Sequence, residues 1–312
     1  MTTINHDGPY LVTGATGKTG AATVELLRQR GARVRALVHS LDDRSARLAD
    51  LGAEVVTGDL LDLAAVSSAM AGVTAAYFCY PIDPGGLLDA TTIFAQAATE
   101  AGVRAVVNMS QISARRDAKS HAAQNHWLGE RLLDRSAFIT THLRPTFFAE
   151  WLIWQWSREQ DQGVLRLPFA EGRHAPIAGA DQARVIAAIL TNPEPHDRQV
   201  YPLSGPVELD HHQIAAKMAA AVGFPVRYEP VEIDAFADVL AIQGHTPFLI
   251  QHLSNVARDY REGVFSGADN LVEVITGTPA TTVEGFVTAN RAAFDGPGQE
   301  PSWKQLRDRR TR

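Results

Sequence analysis

Three glycines stand at intervals of three in the run Thr13-Gly14-Ala15-Thr16-Gly17-Lys18-Thr19-Gly20. A short β-rich run (10–13) precedes them, and a stretch with Val24 and Leu27 on one helical face follows. Glycines between a strand and a helix allow a tight turn and close backbone approach, and the helix start offers free N–H groups and a positive dipole end. Those are the requirements of a dinucleotide pyrophosphate, so Gly14, Thr16, Gly17, Lys18, Thr19 and Gly20 become candidate cofactor contacts. The spacing is G-x-x-G-x-x-G rather than G-x-G-x-x-G. A nucleoside-triphosphate loop competes for Gly17-Lys18-Thr19, but it needs a glycine five residues before Gly17, where Val12 stands. A plain glycine-rich turn is the bland alternative, and the strand–helix alternation that follows argues against it.

The same alternation nominates the other cofactor contacts. A ribose-binding acid is expected about 20 residues beyond the loop. Ala36-Leu37-Val38-His39-Ser40 places His39 there instead. With no carboxylate at that point a 2′-phosphate meets no fixed repulsion, and Arg44 can reach it, although Asp42 and Asp43 weaken the case. NADP(H) is therefore preferred, with NAD(H) left open. Gly58-Asp59-Leu60 ends the third strand, where Asp59 either accepts from the adenine amino group or holds a simple turn. Tyr80-Pro81 ends the fourth, at the edge where open α/β sheets bind ligands; there the ring of Tyr80 flanks the cofactor or fills core.

The elements that carry these residues read as strands over 10–13, 34–38, 54–57, 75–80 and 105–109, with helices between, such as 91–101 closed by Gly102. Such spacing demands parallel pairing through right-handed crossovers, and hence an α/β, doubly wound parallel sheet. Residues 138–143 read as a sixth strand, and Pro145 breaks the chain. The expected organisation is a dinucleotide-binding domain over 8–150 with a returning segment near 176–206, a smaller α/β substrate domain over 151–295, and a flexible basic tail over 296–312. Residues 147–156 pack five aromatics into ten positions. Starting where the sixth strand leaves the cofactor edge, they suit an apolar wall for a flat substrate. Phe147, Phe148 and Trp151 are the candidates; the competing reading is interdomain core.

Composition narrows the classes. The chain has 312 residues, 29 Lys plus Arg against 35 Asp plus Glu, and a formal charge of −6, which argues against a general nucleic-acid binder. A solvated terminus is the favoured reading of the basic tail. One cysteine, Cys79, excludes an internal disulfide and a multi-cysteine metal site. The scattered histidines, His211-His212 included, show no ligand grouping, so no metal is expected. No apolar run long enough for a membrane span and no secretory pattern at residues 1–10 are seen, and the expected location is cytoplasmic.

With these residues in place the chain resembles the NmrA-like group of atypical short-chain dehydrogenase/reductases. The likeness rests on the glycine loop, Gly58-Asp59-Leu60, Ala101-Gly102-Val103 with 106–110, and Leu143-Arg144-Pro145. Farther on it rests on Tyr201-Pro202-Leu203-Ser204-Gly205-Pro206 and on Thr276-Gly277-Thr278-Pro279 with Phe286. It spans residues 9–294 and implies an NAD(P)-binding Rossmann domain with a small C-terminal substrate domain. Members of the group include quinone and dye reductases and also redox sensors that bind the dinucleotide without turning it over. The usual reductase carries Tyr-x-x-x-Lys on the helix after strand five; here His126 and Glu130 take those places. Ser110 stands where the usual serine does, as a candidate for catalysis and for cofactor contact, with Gln111 beside it as a substrate contact. His126 and Glu130 share a helix face, so a histidine near its ordinary pKa could donate a proton while the carboxylate orients it; a plain surface pair is the alternative. The expected function is hydride transfer from NAD(P)H to a small apolar or aromatic, quinone-like or carbonyl electrophile. A non-catalytic NAD(P) sensor that binds a protein partner is the alternative. A sugar-nucleotide epimerase is weaker, because such enzymes keep the tyrosine and lysine. A homodimer is left open.

Overall fold

The computed structural model describes residues 8–82 and 85–310; the first seven residues, read above as free of a secretory pattern, and the last two lie outside the described residues. The first half alternates as expected: β1 (Tyr10–Val12), α1 (Lys18–Gln29), β2 (Val34–Val38), α2 (Asp43–Asp50), β3 (Glu54–Thr57), α3 (Leu63–Met70), β4 (Ala75–Phe78), α4 (Leu87–Glu100), β5 (Ala105–Met109), α5 (His121–Leu133) and β6 (Ile139–Pro145). β1, β4 and β5 are buried along their whole length, which is why they read as unbroken apolar runs rather than as alternating ones. Asp42, Asp62 and Ser120 cap α2, α3 and α5 through their side chains.

The second half contains α6 (Trp151–Trp154), β7 (Trp156–Glu159), β8 (Gln162–Leu167), β9 (Arg173–His174), α7 (Gly179–Thr191), β10 (Val200–Leu203), β11 (Leu209–Asp210), α8 (His211–Val222), β12 (Val226–Pro230), α9 (Ile233–Ile242), α10 (Pro247–Arg261), α11 (Leu271–Thr276), α12 (Val283–Ala289) and α13 (Glu300–Arg310). The segment 176–206 returns to the main sheet: α7 packs beside α1, and β10 pairs in parallel with β6. The sheet thus has seven strands in the order β3-β2-β1-β4-β5-β6-β10, with every pairing parallel. The order reverses between β1 and β4, so the topological switch point, where such sheets bind ligands, lies at their carboxyl ends. Separate apolar clusters fill the two faces of this sheet. A third gathers the C-terminal elements around β7, β8 and β12.

Two expectations change. β6 runs on through Pro145, because this residue is paired opposite Leu203 and contributes its carbonyl, which accepts from Ile112 N at 3.1 Å; no N–H is needed there. The expected flexible tail is docked. Gly296 O accepts from Trp156 Nε1 (3.2 Å), Arg158 N donates to Pro297 O (3.1 Å), and α13 buries Trp303 and Leu306 against the C-terminal cluster. Burying two such side chains is worth about 1.5–3 kcal/mol each, which outweighs the polar composition around them. Among the described residues no helix is long and apolar enough to cross a membrane.

Candidate active site at the carboxyl edge of the sheet

Gly14 adopts φ of +57°, a conformation open mainly to glycine. Gly17 N donates to Gly14 O at 2.9 Å and closes the turn. At Gly20 a Cβ would lie 2.2 Å from Gly14 O and 2.9 Å from Ala15 Cα, so only glycine lets α1 pack against the loop this closely. Among the described residues no side chain caps α1 and no acid stands in its first turn, so its leading N–H groups have no side-chain acceptor, and Lys18 stands exposed beside them. Thr19 turns the other way: its hydroxyl meets that of Tyr77 at 3.2 Å in the interior, making it a strut between α1 and β4 rather than a side-chain ligand. Thr13 ties β1 to β4, donating to Cys79 O (3.0 Å) and accepting from Cys79 N (2.8 Å).

A cleft of about 420 Å³ opens above the switch point, within the usual range for small-molecule sites. Of the expected contacts, Gly14, Thr16, His39, Asp59, Leu60, Tyr80 and Pro81 line it. Cys79 and Leu61 line it too and were not foreseen, since nothing in their local pattern marks them. Asp59 spends one oxygen on its own turn, accepting from Leu61 N at 2.9 Å. Burial, helped by Asp59 and Asp89, pushes the Tyr80 phenol up, so it is protonated throughout the neutral range. Arg44 does not line the cleft: its guanidinium rests on Asp42 at 2.6 Å.

On β5, next to β4, the chain leaves the sheet at Ser110 and Gln111. Ser110 Oγ and Gln111 Nε2 are buried with no hydrogen-bond partner among the described residues, while Gln111 Oε1 accepts from Ser113 Oγ at 2.7 Å. An orphaned buried donor costs about 1–3 kcal/mol, and two in succession fit a place that a ligand completes. The C-terminal elements are fastened over this edge: Arg115 holds Asp259 of α10 through two bonds (2.7 and 2.6 Å), and Ser120 Oγ meets His252 Nδ1 at 2.7 Å.

The expected pairing of His126 with Glu130 does not form. Arg144 on β6 takes both oxygens of Glu130, at 2.8 and 2.5 Å, and Glu130 is fully buried. Nor is His126 near its ordinary pKa; burial first, then the charges of His252 and Arg144, take it down to about 3, so it is neutral at physiological pH. Phe147 belongs to the C-terminal core, stacked on Phe265 at 5.0 Å and packed on Phe169 and Tyr260. Phe148 is half-buried, and Trp151 is half-buried edge-on to Phe147. Among the described residues no three His, Cys, Asp or Glu side chains are grouped to hold a metal ion.

Known proteins resemble this chain over nearly its whole length. It is 30% identical over 287 residues to an NAD(P)H azoreductase of Xenophilus azovorans, covering 91% of this chain and 98% of that one. It superposes on an NADPH-dependent quinone oxidoreductase of Escherichia coli, solved with NADPH, with a TM-score of 0.78 at 24% identity, covering 90% of this chain and 99% of the other. A triphenylmethane reductase of Citrobacter sp. matches with a TM-score of 0.78 at 20% identity, covering 92% and 100%. The NmrA-like family model matches residues 8–286, from the strand that feeds the glycine loop into α12, and the chain accordingly belongs to the NmrA-like family.

Proposed function

We propose that the protein is an NAD(P)H-dependent reductase that delivers hydride to a small, flat electrophile of the quinone or carbonyl type, with NADP(H) preferred and NAD(H) accepted. The carrying observation is the conjunction at one sheet edge of an uncapped α1, a glycine turn that a methyl group would obstruct, and two orphaned donors at the end of β5. When bound, the nicotinamide would supply the hydride. The chain's own part is placement. The N–H groups of α1 and Lys18 hold the pyrophosphate, His39 and the lining of β2 take the adenosine end, and Asp59 and Tyr80 flank it. Ser110 and Gln111 orient a substrate oxygen by hydrogen bonding, and Phe148 and Trp151 wall the apolar side. Neutral His126 contributes no imidazolium, and Glu130 is tied to Arg144. That suits an acceptor that needs little acid help, such as a quinone, with the balancing proton drawn from water.

The relatives' names support a reductase, and the cleft supports the dinucleotide. The test is oxidation of NADPH by the pure protein across a panel of quinones, azo dyes and ketones, followed by absorbance of the reduced nicotinamide. Turnover above the uncatalysed rate with at least one quinone is expected; none with any acceptor sinks the proposal and leaves the sensor reading in its place.

A further inference from the structure

The carboxyl end of β2 is where a dinucleotide's 2′ substituent is read. His39 lines the cleft there, and the chain passes through residues 40–42 into α2. Asp42 does two things at once. Its Oδ1 caps α2, accepting from Arg44 N (2.9 Å) and Ser45 N (3.0 Å), while Ser45 Oγ accepts from Asp42 N (2.8 Å). Its Oδ2 is not required for the cap and is given to the Arg44 guanidinium, which donates from Nε (2.9 Å) and Nη2 (2.6 Å). Arg44 is the first arginine or lysine after β2, and its side chain is 62% exposed, so one carboxylate rather than packing holds it.

We propose that Asp42 is a specificity-determining residue: it holds Arg44 in reserve, and the preference for NADPH over NADH is set by competition between the Asp42 carboxylate and a 2′-phosphate for the same guanidinium. The inference rests on the reading that this cleft takes a nicotinamide dinucleotide. A phosphate carries more charge than a carboxylate and matches the guanidinium fork as well, so it competes for the arginine that Asp42 holds through Nε and Nη2. NADH leaves the pair undisturbed. The chain therefore accepts both cofactors with a narrower preference than an unpaired arginine would impose.

Asp42→Asn separates the two duties. Asparagine caps a helix as well as aspartate does, so Oδ1 keeps its role, while an amide replaces the oxygen that held Arg44. The measurement is the ratio of Kd for NADH to Kd for NADPH, by calorimetry at low ionic strength, in wild type, Asp42→Asn, Arg44→Gln and the double variant. An exposed pair of this kind is worth roughly 1.5- to 5-fold in an equilibrium constant. The ratio should rise by that factor in Asp42→Asn, fall in Arg44→Gln, and be insensitive to Asp42→Asn once Arg44 is gone. A ratio that stays level or falls in Asp42→Asn overturns the proposal. So does a rise that persists without Arg44, because loss of a negative charge at the rim would then suffice. If the wild type binds neither dinucleotide, the cofactor reading fails, and this inference with it.

Discussion

Glu130→Gln separates a structural carboxylate from a catalytic one. In the native chain both oxygens of Glu130 face the Arg144 guanidinium, Glu130 is fully buried, and Arg144 keeps 22% of its side-chain surface exposed. Glutamine preserves the volume, but only its amide oxygen can accept; its nitrogen is turned against another donor, and the charge is gone. Removing one partner from a fully buried pair costs about 3–5 kcal/mol. Because Arg144 can relax toward solvent, the expected loss here is about 2 kcal/mol, between the buried and exposed cases. At roughly 2–4 °C per kcal/mol for a chain of this size, the melting temperature should fall by about 4–8 °C. Thermal melting by circular dichroism at pH 7 gives the first number, and kcat/KM for NADPH oxidation per folded molecule gives the second, which should fall less than about threefold. Adding Arg144→Gln should recover part of the stability, since no buried charge is then left unpaired. A melting temperature that does not move, together with a rate reduced a hundredfold, would refute this reasoning and return Glu130 to the chemistry.

Three further outcomes follow from the same geometry. Gly20→Ala places a methyl group against Gly14 and Ala15; shifting that backbone by about 1 Å costs roughly 1–3 kcal/mol of strain, and dinucleotide Kd measured by calorimetry should weaken at least tenfold while the far-ultraviolet spectrum is kept. Cys79 lines the cleft and burial pushes its thiol pKa up, so modification by a maleimide should be slow at pH 7, quicken as pH rises, and be suppressed by saturating NADPH; equal rates with and without NADPH would place the cofactor elsewhere. Burial holds His126, His211 and His252 down to about 3, 3 and 4, whereas unfolded histidine titrates near 6.5. The unfolded chain therefore binds more protons below that value. Stability should fall as pH drops from about 6.5 toward 4, by about 1.4 kcal/mol per unit for each histidine, and His211→Phe should make the measured slope shallower by one proton.

What the sequence disclosed was local. The glycine turn, the strands 34–38, 54–57 and 105–109 and the returning segment depend on patterns within a few residues, and the structure has them where those patterns lie. What stayed hidden was who meets whom across the fold. Helical spacing offered Glu130 to His126, yet β6 brings Arg144 alongside, and a bidentate guanidinium outcompetes an imidazole that burial keeps neutral. Phe147 and Phe148 are neighbours with equal claims as sequence, but the start of the C-terminal core takes only the first. The tail's charges concealed Trp303 and Leu306, whose burial depends on the edge of β7 being free to receive them. Cys79 lines the cleft just past the end of β4, which stops at Phe78 although the sequence reads as strand through residue 80.

The central claim is that the cleft above β1 and β4 holds a nicotinamide dinucleotide in its reduced form for hydride delivery. A calorimetric titration of the pure protein with NADPH, NADP⁺, NADH and NAD⁺ tests it most directly. Saturable one-to-one binding with NADPH tighter than NADP⁺, weakened at least tenfold in Gly20→Ala, is the predicted result. Tighter binding of the oxidised forms would contradict the reductase and favour a sensor, and no binding of any of the four would reduce the glycine loop to a turn.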